Sequence, residues 1–200
     1  MIVIDLETSG LDHEEDSILS IGAVDFQNPE NQFYGECRLR SGATYNLESL
    51  KVNGFSVKDI KDKSKMSLHE LITRFLDWTH SIYDVTLAGH NVQFDIKFLE
   101  RSFGIYNMGW IFGHRNLDTH SLVYAHCLSR KVEMPYRKNK SDITSDFVFS
   151  YVGLEKEMRP HNGLVGAKME AESISRIIYG RALLGEFKKF PVPQYLKRKK

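Results

Sequence analysis

The hydrophobic positions in the first forty residues form short runs that predict strands. Residues 2–5, 18–26 and 32–39 are each strand-sized, and the third run alternates between apolar and polar side chains. We expect these three runs to form an early group of strands joined by hairpins. A fourth strand-sized run, residues 85–90, follows a longer intervening segment.

Helical spacing dominates the rest of the chain. Apolar residues recur three and four positions apart in segments 67–79 and 165–179, and in the second they fall on one face. Three further helices are predicted. One runs from about Val92 to Gly104, one is capped by Asp118, and one is capped by Asp142 and ends near Gly153. Strands that then alternate with helices indicate an α/β domain with a mixed sheet flanked by helices.

The composition is typical of a globular domain. The chain has 200 residues, 42% hydrophobic and 26% charged, with a net charge of +1. No overall field attracts nucleic acid or membrane, so any such attraction must come from local clusters. We expect a single domain over residues 1–182 and a basic tail over residues 183–200.

Cysteine and hydrophobic usage bear on the location of the protein. Cys37 and Cys127 are far apart and form no CxxC pattern, which argues against a disulfide framework or a zinc site and fits a reducing compartment. We find no signal-peptide pattern and no apolar run long enough to span a bilayer. We therefore expect a cytoplasmic protein without a membrane partner, and a nuclear or organellar location is also open.

Two carboxylates stand at the end of the first predicted strand. Asp5 and Glu7 are two residues apart, so their side chains point to the same face of a strand. Two like charges on one face repel unless a cation neutralises them, and a hard divalent ion prefers oxygen ligands. For this pair alone, a solvent-facing acid and a turn cap would be the better explanation.

Two further residues, Asp95 and His161, lie in local contexts that are compatible with a functional role. Asp95 lies in the first turn of a predicted helix, where the helix dipole favours an anion, although many helices begin with an acid that has no ligand role. His161 lies in RPHNG, a loop-like stretch in which an imidazole is accessible and can act as a general base.

Together these segments resemble the DnaQ-like, DEDDh family of 3′-to-5′ exonucleases, in the RNase H-like superfamily. The motifs are VIDLETSGLDHEEDSILSIGAV with Asp5 and Glu7, AGHNVQFDIKFL with Asp95, and HNGLVGAKMEAE with His161. Three motifs in this order are far more specific than any one of them. The resemblance reaches about residue 180 and implies an RNase H-like sheet, its first three strands antiparallel and its later strands parallel.

The resemblance also implies a two-metal phosphodiesterase that uses Mg²⁺ or Mn²⁺. Asp5 would bridge both ions, Glu7 would help to hold the ion that activates water, and Asp95 would support the second ion. His161 would take the proton from the attacking water. Two ions stabilise the attacking and leaving oxygens of an in-line displacement, which would release nucleoside 5′-monophosphates from a 3′ end.

Contacts to nucleic acid are expected in two regions. By resemblance, Thr8, Ser9 and Leu11 match positions that contact the terminal nucleotide, and Asn91 belongs to the second motif. The basic segment 129–142 is predicted to be a loop that suits a nucleic-acid backbone and one stacked base, although a merely solvated loop is equally consistent. Its candidate contacts are Arg130, Lys131, Tyr136, Arg137 and Lys138.

The expected substrate is a single strand or a frayed 3′ end, because a metal site must reach the terminal phosphodiester. The sequence does not distinguish DNA from RNA. A larger replication, repair or RNA-processing complex is a possible partner. Two alternatives stay open: a module of the same fold that holds 3′ ends without cleaving them, and an unrelated α/β protein with surface acids.

One position departs from the family pattern. The fourth carboxylate of the family would stand five positions after His161, where this chain has Gly166. Glycine offers no ligand, and in a helix it costs about 0.5–1 kcal/mol relative to alanine. Glu170 lies one turn further along, about 6 Å along the helix axis. We do not favour it as a replacement, because a glutamate side chain spans only part of that distance.

Three explanations of Gly166 stay open. The residue was changed deliberately to stop turnover; or a natural lineage lost the ligand and became a binder or regulator; or water or Glu170 serves in its place. We favour the first, because the other four catalytic residues are retained. It implies that one of the two metal ions is lost and that this chain is inactive or weakened.

If the first explanation holds, Gly166→Asp should raise nuclease activity by orders of magnitude, because it restores the missing ligand. The measurement is release of mononucleotides from labelled DNA and RNA oligonucleotides of the same sequence. An unchanged rate would contradict deliberate inactivation.

Overall fold

A five-stranded mixed sheet forms the centre of the computed structural model, which describes residues 1–197. The strands run in the order β3-β2-β1-β4-β5. β1, β2 and β3 are antiparallel neighbours, whereas β4 is parallel to β1 and β5 is parallel to β4. The predicted mixed sheet is therefore confirmed. The strands are β1 (Ile2–Thr8), β2 (Ile18–Asp25), β3 (Gln32–Glu36), β4 (Leu87–Gly89) and β5 (Leu117–Asp118).

Helices cover both faces of this sheet. Asp118 caps α5 as predicted, accepting hydrogen bonds from the backbone of His120 and Ser121. Asn162 caps α7 in the same way, so this helix begins two residues earlier than its apolar pattern indicated. The helices are α1 (Leu47–Asn53), α2 (Val57–Lys61), α3 (Leu68–Thr79), α4 (Gln93–Ile105), α5 (Thr119–Arg130), α6 (Ser145–Tyr151) and α7 (Gly163–Tyr179).

The alternation of side chains along β1 divides the interior. Ile2, Ile4 and Leu6 belong to the core formed with α3 and α4, whereas Val3 packs in a second cluster with the alanines and Ile174 of α7. Because β1 has a period of two, Asp5 and Glu7 share the α7 face with Val3. The strand thus anchors itself with one face and presents two carboxylates on the other.

The start of α7 lies directly on the sheet. A Cβ atom added to Gly22 of β2 would lie 2.0 Å from the carbonyl carbon of Gly163, and one added to Gly163 would lie 2.6 Å from the carbonyl oxygen of Asp5. Glycine at both positions permits this backbone-to-backbone approach. As a result, the residues before α7 and its first turn lie next to the end of β1.

Residues 183–197 pack against the domain, although the sequence predicts a separate tail from residue 183. The buried Arg176 of α7 donates hydrogen bonds to the carbonyl oxygens of Phe187 and Phe190, at 2.9 and 3.0 Å. Leu184 and Leu196 are buried, and the hydroxyl of Tyr195 donates to the carbonyl oxygen of Tyr151. Residues 198–200 of the predicted basic tail lie outside the described residues. Within residues 1–197, no helix combines the length and hydrophobicity needed to cross a membrane.

Gly22→Ala should destabilise the fold by about 3 kcal/mol, since the new methyl group meets backbone that cannot rotate away. The free energy of unfolding from urea titration measures the effect. Gly109→Ala is the matched control, because a Cβ at Gly109 has no atom within 4 Å. Equal stabilities of the two variants would contradict the tight contact between α7 and β2.

Candidate active site

A cavity of about 370 Å³ opens where β1 and β4 end. Its lining brings together the four predicted catalytic residues, although they come from distant parts of the sequence. β1 supplies Asp5 and Glu7, α4 supplies Asp95, and the loop before α7 supplies His161. Ligands of open α/β sheets commonly bind at such carboxyl ends of strands.

Asp95 is fixed to β1 by the backbone. Its Oδ1 accepts a hydrogen bond from the Leu6 backbone N–H at 3.0 Å, so α4 is tied to the strand between Asp5 and Glu7. Glu7 is only 6% exposed, and its buried Oε1 has no hydrogen-bond partner among the described residues. A buried acceptor without a donor is costly, which indicates that the cavity is built to receive a further group.

Burial and mutual repulsion raise the pKa values of these carboxyl groups. Burial is the main cause for Glu7, and with the charges of Glu157 and Asp95 it raises the Glu7 pKa to about 8. Burial likewise raises the pKa of Asp95 to about 8, and it raises the pKa of Asp5 well above its usual range, with Glu170 as the first of the neighbouring charges. The site therefore disfavours negative charge unless a cation is present.

His161 is held at the rim by its loop. Its backbone N–H donates to the carbonyl oxygen of Val52 at 3.0 Å, and the next residue, Asn162, donates its side-chain N–H to the hydroxyl of Tyr34 at 3.0 Å. Nδ1 of His161 lies 3.8 Å from Oε2 of Glu157. The loop is thus attached to α1 on one side and to β3 on the other.

Glu157 and Glu170 also line the cavity, and neither was predicted as a site residue. Glu157 lies in an irregular segment, where no periodicity signals the direction of a side chain. The position of Glu170 one helical turn beyond Gly166 argued against a ligand role from the sequence alone. The structure places Glu170 beside β4, where its Oε2 accepts a hydrogen bond from the His90 backbone N–H at 2.9 Å.

Gly166 faces Asp5 across the interface of α7 and β1. A Cβ atom added to Gly166 would lie 2.0 Å from Oδ2 of Asp5 and 2.8 Å from its Cγ. The carboxylate of Asp5 therefore fills the space that a side chain at position 166 would need.

The predicted nucleotide-contact residues of the first two motifs divide into two groups. Thr8, Leu11 and Asn91 line the cavity, and Leu11 is 80% exposed at its rim. Ser9 does not line it, because its hydroxyl is buried between the Ser17 N–H, from which it accepts, and the carbonyl oxygen of Thr44, to which it donates. The structure therefore gives Ser9 a role in holding the loop after β1.

The basic segment contains a short hairpin where a loop was predicted. β6 (Tyr136–Arg137) pairs with β7 (Lys140–Ser141), and Lys138 and Asn139 form the turn with positive φ angles. The five candidate contact residues of this segment are exposed, and none of them lines the carboxylate cavity. A second cavity reaches from Ser141 to His90 and Asn91, and it shares His90, Asn91 and Ser145 with the first.

The donor set fits a hard divalent cation. Among residues 1–197, no three carboxylate, histidine or cysteine side chains converge with metal-ligating geometry. Asp5, Glu7 and Asp95 nonetheless supply only oxygen donors, which Mg²⁺ and Mn²⁺ prefer. In the same part of the chain, none of these carboxylates forms an ion pair with lysine or arginine. The residues present therefore fit such an ion.

A family model described as Exonuclease (RNase T) matches residues 2–172. Among curated proteins, DNA polymerase III subunit epsilon of Rickettsia typhi is 33% identical over 106 residues, covering 52% of this chain and 44% of that protein. DNA polymerase III PolC-type of Latilactobacillus sakei is 28% identical over 184 residues, covering 89% of this chain and 11% of that protein. The chain thus spans less than half the length of these relatives.

Solved structures show the same fold. The nuclease domain of 3′hExo, a DEDDh family member bound to rAMP, matches with a TM-score of 0.68 at 14% identity, covering 96% of this chain and 95% of that chain. Escherichia coli Exonuclease I in complex with a 5cy-dT13 oligonucleotide matches with a TM-score of 0.63 at 12% identity, covering 88% and 39%. At these identities, the likeness concerns the fold alone.

In the presence of a chelator, the raised pKa of Asp95 should make the protein less stable as pH rises from about 5 to about 8.5. The folded-state pKa of Asp95 is about 8, whereas an unfolded aspartate has a pKa of about 3.9. Between these values the folded state binds more protons, so its stability is full below the unfolded pKa and is lost as pH rises through the folded pKa.

The measurement is the difference in melting temperature between the unmodified protein and Asp95→Asn across this pH range. The variant should lose less stability at high pH, and its amide can still accept from the Leu6 N–H. Asp77→Asn, at an exposed position, is the control. An Asp95→Asn protein with the full pH slope would rule out this explanation.

Proposed function

This chain belongs to the RNase T exonuclease family, whose model spans residues 2–172, and on that premise we propose that it is a metal-dependent 3′-to-5′ exonuclease. Its substrates would be single-stranded or frayed 3′ ends of DNA or RNA, and its products nucleoside 5′-monophosphates. One observation carries the proposal. Asp5, Glu7, Asp95 and His161 line a single cavity at the carboxyl ends of two strands.

Asp5, Glu7 and Asp95 would hold the divalent ions. When bound, Mg²⁺ or Mn²⁺ would supply Lewis-acid stabilisation to the attacking and leaving oxygens of the phosphodiester. The carboxylates themselves set the position of that charge, because Asp95 is fixed to the backbone of β1 at Leu6. Their raised pKa values mean that cation binding displaces protons, so metal affinity should rise with pH.

His161 would act as the general base for the attacking water. Its side chain is about one-third exposed, at 31%, and lies at the cavity rim. Oε2 of Glu157 lies 3.8 Å from Nδ1 of His161, which favours the tautomer of the imidazole with its proton on Nδ1. The opposite ring nitrogen is then the one available to accept a proton from water.

The two adjoining cavities suggest a path for the strand. The terminal nucleotide would lie at the carboxylates beside Thr8 and Leu11, and preceding nucleotides would pass Asn91 toward the hairpin. The exposed cations of the hairpin region would contact phosphates, and Tyr136 would stack on a base. Binding should therefore weaken with salt.

The named relatives suggest a setting for this activity. Both curated relatives described above carry names of DNA polymerase III components. We propose on that basis that the chain acts with a replication complex, with repair and RNA processing as the other settings in which 3′ ends are trimmed.

Gly166 favours a second candidate function. A chain that lacks the fourth carboxylate of the family pattern would bind 3′ ends tightly and cleave them slowly or not at all. Under this alternative, a labelled oligonucleotide is retained in the presence of Mg²⁺ or Mn²⁺ and no mononucleotide appears. Release of mononucleotides favours the exonuclease.

Asp5→Asn should reduce the exonuclease rate by about 10³-fold, because the shared metal ligand loses its charge and several kcal/mol of transition-state stabilisation are lost. The measurement is mononucleotide release from a 3′-labelled single strand with Mg²⁺ or Mn²⁺. Asp77→Asn is the matched control at an exposed position that does not line the cavity. A rate for Asp5→Asn equal to that of the control would refute the proposed site.

A further inference from the structure

We propose that Glu170 is a metal-ligating residue of this site and replaces the carboxylate that the family pattern places at position 166. The inference rests on the proposed exonuclease function and deepens it, because it assigns a fourth carboxylate to a chain that lacks the usual one. It also favours an active site over a deliberately inactivated one.

The position of Glu170 meets the first requirement. It is four residues after Gly166 on α7, is 5% exposed, and lines the same cavity as Asp5, Glu7 and Asp95. The hydrogen bond from the His90 N–H to its Oε2 fixes the carboxylate at the end of β4. Glu170 lies one helical turn beyond Gly166, and the end of β4 lies beside Glu170 rather than beside Gly166. The carboxylate of Glu170 therefore reaches the cavity in spite of this separation.

Gly166 and Gly89 are consistent with a ligand at position 170 in place of one at position 166. A side chain at position 166 would occupy the space of the Asp5 carboxylate, since its Cβ would lie 2.0 Å from Asp5 Oδ2. A Cβ at Gly89 would lie 3.0 Å from Oε2 of Glu170, so the absence of a side chain there gives the glutamate room. The missing ligand at 166 and the added one at 170 therefore belong to one consistent arrangement.

Charge balance argues against a purely structural role. Glu172, two residues further on, is also buried, and Arg176 pairs with it at 2.6 Å. Glu170 has no lysine or arginine ion-pair partner among the described residues. A buried carboxylate next to other carboxylates is costly without a cation.

A second observation points to a ligand in the same cavity. Oε1 of Glu7 is buried and has no hydrogen-bond partner within residues 1–197. A divalent ion among these carboxylates would satisfy that oxygen and offset the charge of Glu170 at once. The cavity therefore contains, besides its carboxyl groups, a buried oxygen of Glu7 that lacks a hydrogen-bond partner among the described residues.

The first test is Mn²⁺ affinity by isothermal titration calorimetry, which does not depend on turnover. Glu170→Gln should weaken binding by at least about tenfold. The amide oxygen can still accept from the His90 N–H, so the variant should melt close to the unmodified protein in chelator. Glu100→Gln, exposed on α4, is the control and should bind Mn²⁺ normally.

The outcomes separate this inference from the proposed function. If Asp5→Asn loses Mn²⁺ binding while Glu170→Gln keeps it in full, Glu170 is not a ligand and the exonuclease proposal stands. If the unmodified protein binds no Mn²⁺ and releases no mononucleotide, both proposals fail.

Substitutions at Gly166 provide an independent test. If Glu170 serves as the ligand, Gly166→Ala and Gly166→Asp should both lower Mn²⁺ affinity, because either side chain displaces Asp5. A large gain in Mn²⁺ affinity and nuclease rate with Gly166→Asp alone would overturn the assignment and support deliberate inactivation.

Discussion

Repulsion between buried carboxylates is the constraint on which this structure depends. Asp5, Glu7, Asp95, Glu157 and Glu170 surround one cavity of about 370 Å³. These five carboxyl groups cannot all be ionised without a cation, because burial already disfavours the charged form of each of them. A fold that keeps these carboxyl groups together must gain stability elsewhere. Here α7 packs directly on the sheet, and α4 is hydrogen-bonded to the backbone of β1.

Much of the fold could be predicted because the spacing of hydrophobic residues along the chain indicates its strands and helices. The apolar run of β1 and the helical spacing of α7 identify both elements, and the mixed sheet follows from their order with the strands between them. The four predicted catalytic positions also meet in one cavity, since they stand where strands and helices begin or end. Boundaries moved by one to three residues where caps such as Asn162 decided them.

The remaining features depend on packing that no linear pattern contains. The reach of Glu170 depends on β4, which lies beside α7 only in the folded chain. The hydroxyl of Ser9 is used inside its own loop, which a motif comparison cannot reveal. The apolar residues of segment 183–197 have no regular spacing among its lysines, so the sequence predicts a tail. The hydrogen bonds from Arg176 that hold the segment exist only in the folded chain.

The two attachments of the His161 loop have a consequence for the cost of substrate binding. A base carried on a loose loop must be ordered at each encounter, and that lost conformational freedom subtracts from affinity. Here the His161 N–H is bonded to Val52, and Asn162 both caps α7 and donates to Tyr34. The loop is therefore ordered before a strand arrives, so more of the binding free energy is available for holding the 3′ end.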